Sequence, residues 1–232
     1  MNTLTIGILG GMGPRATVNF EQRLLDAFSG ADQDFPRIIS VNNSQIPDRS
    51  DFIQSKGSDP LEEFKVSASI LQSSNVDIVC MPCNTAHSPK ILARLMATIP
   101  LPIIDMPAAC ILLAESKQYK KILILSTEGT ANSGIFDSRA ITVTCVYPDK
   151  ISQTLITSAI KSIKDSGGVD ENTANQIKVL IASANVDAVV LACTELSLLP
   201  KVLFKSIPLI DSIEVMVELC VNMNTTLNAT GE

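Results

Sequence analysis

The sequence predicts an α/β protein of two pseudo-symmetric parallel-sheet domains with an active site in the cleft between them. Three observations carry that prediction. Short β-rich apolar runs alternate with segments of helical periodicity, the pattern of parallel strands joined by crossover helices. The alternation restarts near residue 121, so the second half of the chain repeats the first. Of the 232 residues 46% are hydrophobic and 18% charged, which gives a substantial core and excludes a disordered chain.

Residues 5–9 read as a buried strand, followed by the loop Gly10-Gly11-Met12-Gly13-Pro14 and a helix over 15–27. A second strand covers 37–41. The polar stretch Asn42-Asn43-Ser44-Gln45-Ile46-Pro47-Asp48-Arg49 is rich in turn formers and reads as a loop. Leu61, Phe64, Ile70 and Leu71 give 60–73 a helical period; a strand over 77–81, a helix over 88–97 and a short strand at 103–104 follow. The second half opens on a strand at Lys121–Leu125, followed by the loop Ser126-Thr127-Glu128-Gly129-Thr130. A strand over 141–146, helices over 152–164 and 172–184, strands at Ala188–Leu191 and 208–210, and a last helix over 216–222 complete it.

Three segments recur in the same order. Ile6-Gly7-Ile8-Leu9 echoes Ile122-Leu123-Ile124-Leu125, Asn75-Val76-Asp77 echoes Asn185-Val186-Asp187, and Pro102-Ile103-Ile104-Asp105 echoes Pro208-Leu209-Ile210-Asp211. The repeat puts Cys83 and Cys193 at equivalent positions, each just past the carboxyl end of a buried strand. Ligands bind outside the carboxyl ends of strands in open parallel sheets. Two related halves facing each other therefore place one thiol on each side of a small ligand. The expected division is 1–106 plus 211–232 for the domain supplying Cys83, and 107–210 for the domain supplying Cys193.

Opposed thiols suit one reaction in particular. One thiolate removes the α-proton of an amino acid, and a thiol returns a proton to the other face. Donors aimed at the substrate carboxylate would stabilise the carbanion, and helix N-termini after each cysteine would supply N–H groups and lower the thiol pKa. The remaining cysteines, Cys80, Cys110, Cys145 and Cys220, read as small core hydrophobes. Cys80-Met81-Pro82-Cys83 is also a C-x-x-C, the pattern of a thiol-disulfide oxidoreductase, but Val190 stands where the second copy would need its cysteine.

Several classes are excluded or disfavoured. A net charge of -6 and the absence of Trp argue against nucleic-acid binding. The start shows no secretory signal and no apolar run is long enough to span a membrane, so a cytoplasmic, reduced protein with free thiols is the expectation. A lone histidine, His87, and no second C-x-x-C speak against structural zinc, and His87 itself reads as a helix-start or packing residue rather than a base. Gly11-Met12-Gly13-Pro14-Arg15-Ala16 fits G-x-G-x-x-A, but the second strand runs into Asn42-Asn43 where a dinucleotide site needs an acid. The loop is therefore a tight turn or a backbone cradle for a small anion. Arg49 is a candidate bidentate clamp for a carboxylate.

Taken together, Gly7 to Pro14 with Ala16-Thr17, Asn42-Asn43 through Gln45 to Arg49, Met81-Pro82-Cys83-Asn84-Thr85-Ala86-His87, Gly129-Thr130 and Ala192-Cys193-Thr194-Glu195-Leu196 resemble the aspartate/glutamate racemase superfamily, in its aspartate racemase branch. The resemblance implies a cofactor-independent amino-acid racemase acting on aspartate, glutamate or both, two pseudo-symmetric α/β domains, no pyridoxal phosphate and a homodimer. It implies Cys83 and Cys193 as the paired acid and base. Asn84, Thr85, Thr127 and Thr194 would bind the α-carboxylate and amino group, Arg49 and Lys164 the side-chain carboxylate, and Glu195 would tune the second cysteine; Met12 of the glycine loop joins the substrate-binding set. Ala192 departs from the glycine common before the second cysteine, and Lys161 from an expected tyrosine. A thiol-disulfide oxidoreductase using Cys80 and Cys83 and a non-catalytic binder of small carboxylic acids are the other readings that the residues leave open.

Overall fold

A computed structural model describes residues 4–230. In chain order the elements are β1 (Thr5–Gly10), α1 (Pro14–Asp26), β2 (Arg37–Asn42), α2 (Arg49–Ile53), α3 (Leu61–Ser73), β3 (Ile78–Cys80), α4 (Pro89–Thr98), α5 (Met106–Ser116), β4 (Lys121–Leu125), α6 (Glu128–Asn132), β5 (Thr144–Val146), α7 (Lys150–Ser166), α8 (Glu171–Ser183), β6 (Ala188–Leu191), β7 (Leu209–Asp211) and α9 (Ser212–Thr230). The strands form two parallel sheets, ordered β2-β1-β3 and β5-β4-β6-β7. An isolated parallel bridge from Val79 to Ile103 stands where β7 pairs with β6, so both sheets share one topology.

The repeat extends to single hydrogen bonds. Asp77 accepts from the Thr5 backbone N–H (2.7 Å), and Asp187 accepts from the N–H groups of Lys120 and Lys121 (2.6 and 2.9 Å). Each carboxylate satisfies N–H groups at the start of its sheet's central strand, which are otherwise orphans. Past the next strand, the Val79 N–H donates to Pro102 and the Val189 N–H to Pro208 (2.8 and 2.9 Å).

Side-chain caps start the helices of the second half. Asp149 and Asp170 accept from Ser152 N and Thr173 N at the heads of α7 and α8, and Gly167, at φ +85°, ends α7. The helices after the fourth strand position of each copy, the Ile103 bridge and β7, cross over. Cys110, Ile111 and Ala114 of α5 pack on the second sheet, whereas Ile213, Met216, Val217 and Cys220 of α9 pack on the first.

Two expectations are corrected, and one helix is added. The strand expected over 141–146 is confined to Thr144–Val146, because the N–H groups of Ile141 and Thr142 donate to Glu115 Oε1 (2.8 and 2.7 Å) rather than to a neighbouring strand. Helix α5 has no helical signature in the sequence because its residues, MPAACILLAES, are apolar almost all round. It is enclosed on several sides, Met106 facing one cluster and Cys110 another, so it has no 3.6-residue stripe. The polar stretch ends in a five-residue helix, α2, that Asp48 caps by accepting from Ser50 N and Asp51 N (2.8 and 3.0 Å).

Candidate active site

In-register pairing of Val79 with Gly7 and of Val189 with Leu123 fixes the two cysteines, each four residues further on. The chain turns the same way after both. The carbonyl of Cys83 accepts from Ala86 N (3.1 Å) and that of Cys193 from Leu196 N (2.9 Å). Both side chains are buried, at 6% and 7% exposure, and both line one pocket of about 20 Å³.

The sequence-predicted residues converge on that pocket. Met12 and Arg49 reach it from the glycine loop and the head of α2; Asn84 and Thr85 come from the turn after Cys83, and Thr127 caps α6. Lys164 approaches from the last turn of α7, and Thr194 and Glu195 follow Cys193. Asp48, Ser50 and Ala192 also line it and were not singled out as site residues. Asp48 and Ser50 flank Arg49, and the Asp-x-Ser-Asp capping pattern is the signal that would have found them. Lys161 is exposed and lines neither this pocket nor its neighbour.

The expectation that helix N-termini depress both thiol pKa values is corrected at Cys193. The segments that follow the cysteines are single 3₁₀ turns, Asn84–His87 and Leu196–Leu198. Burial pushes the Cys193 thiol well up, and the Glu195 charge adds to that, Lys164 opposing. Cys193 Sγ donates to Glu195 Oε2 at 3.1 Å, so the sulfur holds its proton. Burial works against the charged form of Lys164, yet Glu195, Cys193 and Asp48 outweigh it and the amine is held above its ordinary value.

Arg49 is buried, and most of its donors are occupied by backbone carbonyls: Nη2 donates to Met12 (2.6 Å) and Nη1 to Pro47 (3.1 Å) and Ile46 (3.3 Å). The side chain thus ties the glycine loop to the polar stretch, and only Nε lacks a partner. Gly11, at φ +98°, permits this approach, because a Cβ there would lie 2.1 Å from the Asn43 carbonyl oxygen. Asn84 Nδ2 donates to Ser212 Oγ (3.1 Å), leaving Oδ1 free, and Glu195 Oε1 is likewise unpartnered. Among the described residues five buried side-chain polar atoms lack a protein partner, and three of them surround this pocket: two acceptors, Asn84 Oδ1 and Glu195 Oε1, and one donor, Arg49 Nε. A hydroxyl chain completes the wall. Thr127 Oγ1 lies 3.0 Å from Ser50 Oγ, and Thr85 Oγ1 lies 2.7 Å from Thr130 Oγ1.

Outside lies a cavity of about 280 Å³ that shares Met12, Asp48, Arg49, Lys164 and Glu195 with the inner pocket and adds Arg15 at its rim. No group of three or more potential metal-ligating side chains occurs among the described residues.

Compared with known proteins, residues 9–220 match the model of the family described as Asp/Glu/hydantoin racemase. The chain belongs to that racemase family. It is 26% identical over 216 residues to the broad specificity amino-acid racemase RacX of Bacillus subtilis (strain 168), covering 89% of this chain and 92% of that one. Its fold is similar to that of Picrophilus torridus aspartate racemase, with a TM-score of 0.82 at 27% identity over 96% and 94% of the two chains. A glutamate racemase from Francisella tularensis, solved with D-glutamate, shares the fold at 16% identity, with a TM-score of 0.70 over 98% and 83% of the chains. The chain is therefore an isomerase of the amino-acid racemase type.

Two residues beside the first thiol of this racemase stay out of the pocket. Cys80 points into the core under α9, its sulfur 3.2 Å from that of Cys220, while Cys83 belongs to the cluster on the other side of the sheet. The C-x-x-C thus divides between two faces. His87 is fully buried, its Nε2 donates to the Met81 carbonyl (3.2 Å), and burial lowers its pKa to about 4, so it is a neutral strut under the loop that carries Cys83.

Proposed function

We propose that this racemase inverts an acidic amino acid, aspartate or glutamate, by a two-base mechanism in which Cys83 and Cys193 face opposite sides of the α-carbon. The observation that carries the proposal is the shared pocket: two thiols from equivalent turns, together with unpartnered acceptors and a donor that match an amino-acid zwitterion. Asn84 Oδ1 and Glu195 Oε1 accept from the α-ammonium. Thr85, Thr127 and Thr194 present hydroxyls to the α-carboxylate, where charge builds up as the proton leaves. Arg49 Nε and the Lys164 amine take the side-chain carboxylate at the junction with the outer cavity, and Met12 walls both spaces.

Protonated Cys193 is the acid in one direction. Cys83, as thiolate, removes the α-proton; the electron pair moves into the carboxylate as an enediolate; Cys193 then delivers its proton to the opposite face. The enzyme is left with Cys83 protonated and Cys193 as thiolate, the form that handles the other enantiomer. No cofactor enters this scheme. The inner pocket of about 20 Å³ holds little more than a water, so a substrate that reaches both thiols from the outer cavity must widen the space between the shared walls. The packing of α9 on the first sheet and of α5 on the second supports dividing the chain into 1–106 plus 211–232 and 107–210. The groove between α5 and α9, where Leu112 is 64% exposed, is the face we assign to the homodimer.

The relatives' names support an amino-acid substrate, and the positive pair Arg49 and Lys164 favours a dicarboxylic one. Chiral chromatography of L- and D-aspartate, L- and D-glutamate and a panel of neutral amino acids tests the proposal. Conversion of the acidic pairs ahead of the neutral ones is expected; thermal stabilisation by these acids without turnover would mark a binding protein instead.

A further inference from the structure

Two arginines outside the pocket repeat each other as closely as the cysteines do. Arg23 lies on α1, thirteen residues past the end of β1, and Arg139 lies fourteen past the end of β4. Each reaches over to the other sheet's cysteine turn. Arg139 Nη2 donates to the carbonyl of His87, four residues after Cys83 (3.4 Å); Arg23 Nη2 donates to the carbonyl of Ser197, four residues after Cys193 (2.5 Å). Each also pairs with the aspartate that opens the crossing helix. Arg139 binds both oxygens of Asp105, the N-cap of α5, at 2.7–2.9 Å, and Arg23 binds Asp211, just before α9, at 2.9 Å. Both side chains are mostly buried, at 17% and 19% exposure.

We infer that Arg23 and Arg139 are a matched pair of positioning residues, each holding the cysteine turn of the opposite sheet in place across the cleft. A guanidinium presents donors in one rigid plane, so a single side chain fixes a carboxylate and a carbonyl at once. The carbonyl it fixes closes the short turn that begins at the thiol. Arg139 therefore sets the aim of Cys83, and Arg23 that of Cys193. The crossing of the contacts matters: movement of one sheet relative to the other acts on both turns together, which coordinates two thiols that must work in succession on one carbon. The anchors are not equally strong. Arg23 also donates to Glu214 (2.7 Å), and Asp211 further accepts from Ser197 Oγ (2.5 Å), whereas the Arg139 contact to His87 is long. The Cys83 turn is the more easily displaced.

The role in racemisation rests on the two-thiol reading above, so the test has an arm that needs no turnover. Arg139→Lys and Arg23→Lys keep a charge for the aspartate but lack the planar fork that spans aspartate and carbonyl together. Iodoacetamide labelling, read cysteine by cysteine by mass spectrometry, compares Cys83, Cys193 and the core thiol Cys110. Arg139→Lys is expected to change the labelling rate of Cys83 severalfold and leave Cys193 and Cys110 as they are; Arg23→Lys is expected to change Cys193 alone. Unchanged rates at all three, or rates that rise together as in general loosening, overturn the inference. In the turnover arm, Arg139→Lys is expected to raise the primary deuterium isotope effect only for the enantiomer that Cys83 deprotonates. Absence of turnover in the unaltered protein would count against the racemase reading and leave the labelling result to decide the positioning role.

Discussion

Cys193 Sγ donates to Glu195 Oε2 across 3.1 Å, two residues away along the chain, and the charge of that carboxylate adds to burial in keeping the thiol protonated. Removing that negative charge eases ionisation of the thiol. Glu195→Gln should therefore move alkylation of Cys193 to lower pH, while the loss of an acceptor in the pocket lowers kcat at least about tenfold. Labelling of Cys193 against pH, with kcat measured alongside, checks both. An unmoved labelling curve would mean that burial alone sets the state of this thiol.

Serine at either thiol position keeps the shape and removes an acid/base group of suitable strength. Cys83→Ser and Cys193→Ser should each lower racemisation by about 10²–10⁴-fold with little change in melting temperature. A chiral assay started from each enantiomer checks this, and near-normal turnover in either variant would break the two-base assignment.

Arg49 is a structural tie as well as a candidate substrate contact. Arg49→Ala leaves the carbonyls of Met12, Ile46 and Pro47 without their donors, at a cost of about 1–3 kcal/mol. The melting temperature should drop by several degrees, and KM for aspartate and glutamate should rise at least about fivefold. Thermal unfolding and initial rates separate the two effects. A lower melting temperature with KM unchanged would confine Arg49 to holding the loops together.

His87 gives the fold an acid limit. Its folded pKa of about 4 lies below the ordinary 6.5, so the unfolded chain binds a proton first as pH falls. The stability tied to the neutral ring is fully present above about pH 6.5 and lost between there and pH 4, up to about 3 kcal/mol. His87→Gln, which retains a donor for Met81, should flatten the stability curve across that window in denaturant titrations. An equal slope in the variant would assign the acid sensitivity to other groups.

The fold was legible where the chain is periodic or repeated. Lys121–Leu125 and Ala188–Leu191 were read with their observed bounds, and the matching segments around Val76 and Val186 placed the two cysteines at equivalent strand ends. Elements whose order comes from capping or enclosure were not legible. Helices α2 and α6 are too short for a period and depend on Asp48 and Thr127, while α5 is apolar on several sides. In the site, the residue types in the motifs carried the pocket's composition, since all ten expected residues line it. Their hydrogen-bond states depend on neighbours distant in sequence: Arg49 is engaged by Met12, 37 positions away, and Asn84 by Ser212, 128 away. The raised pKa of Cys193 comes from burial, which no local pattern encodes.

Proton NMR of L-aspartate and L-glutamate incubated with the reduced protein in D2O, read at the α-proton and paired with chiral analysis of the same samples, tests the central claim most directly. Two-base inversion predicts loss of the α-proton signal together with appearance of the D-enantiomer, deuterated at the α-carbon by the opposing thiol. An α-proton signal that persists on both substrates, with no D-enantiomer formed, would contradict it.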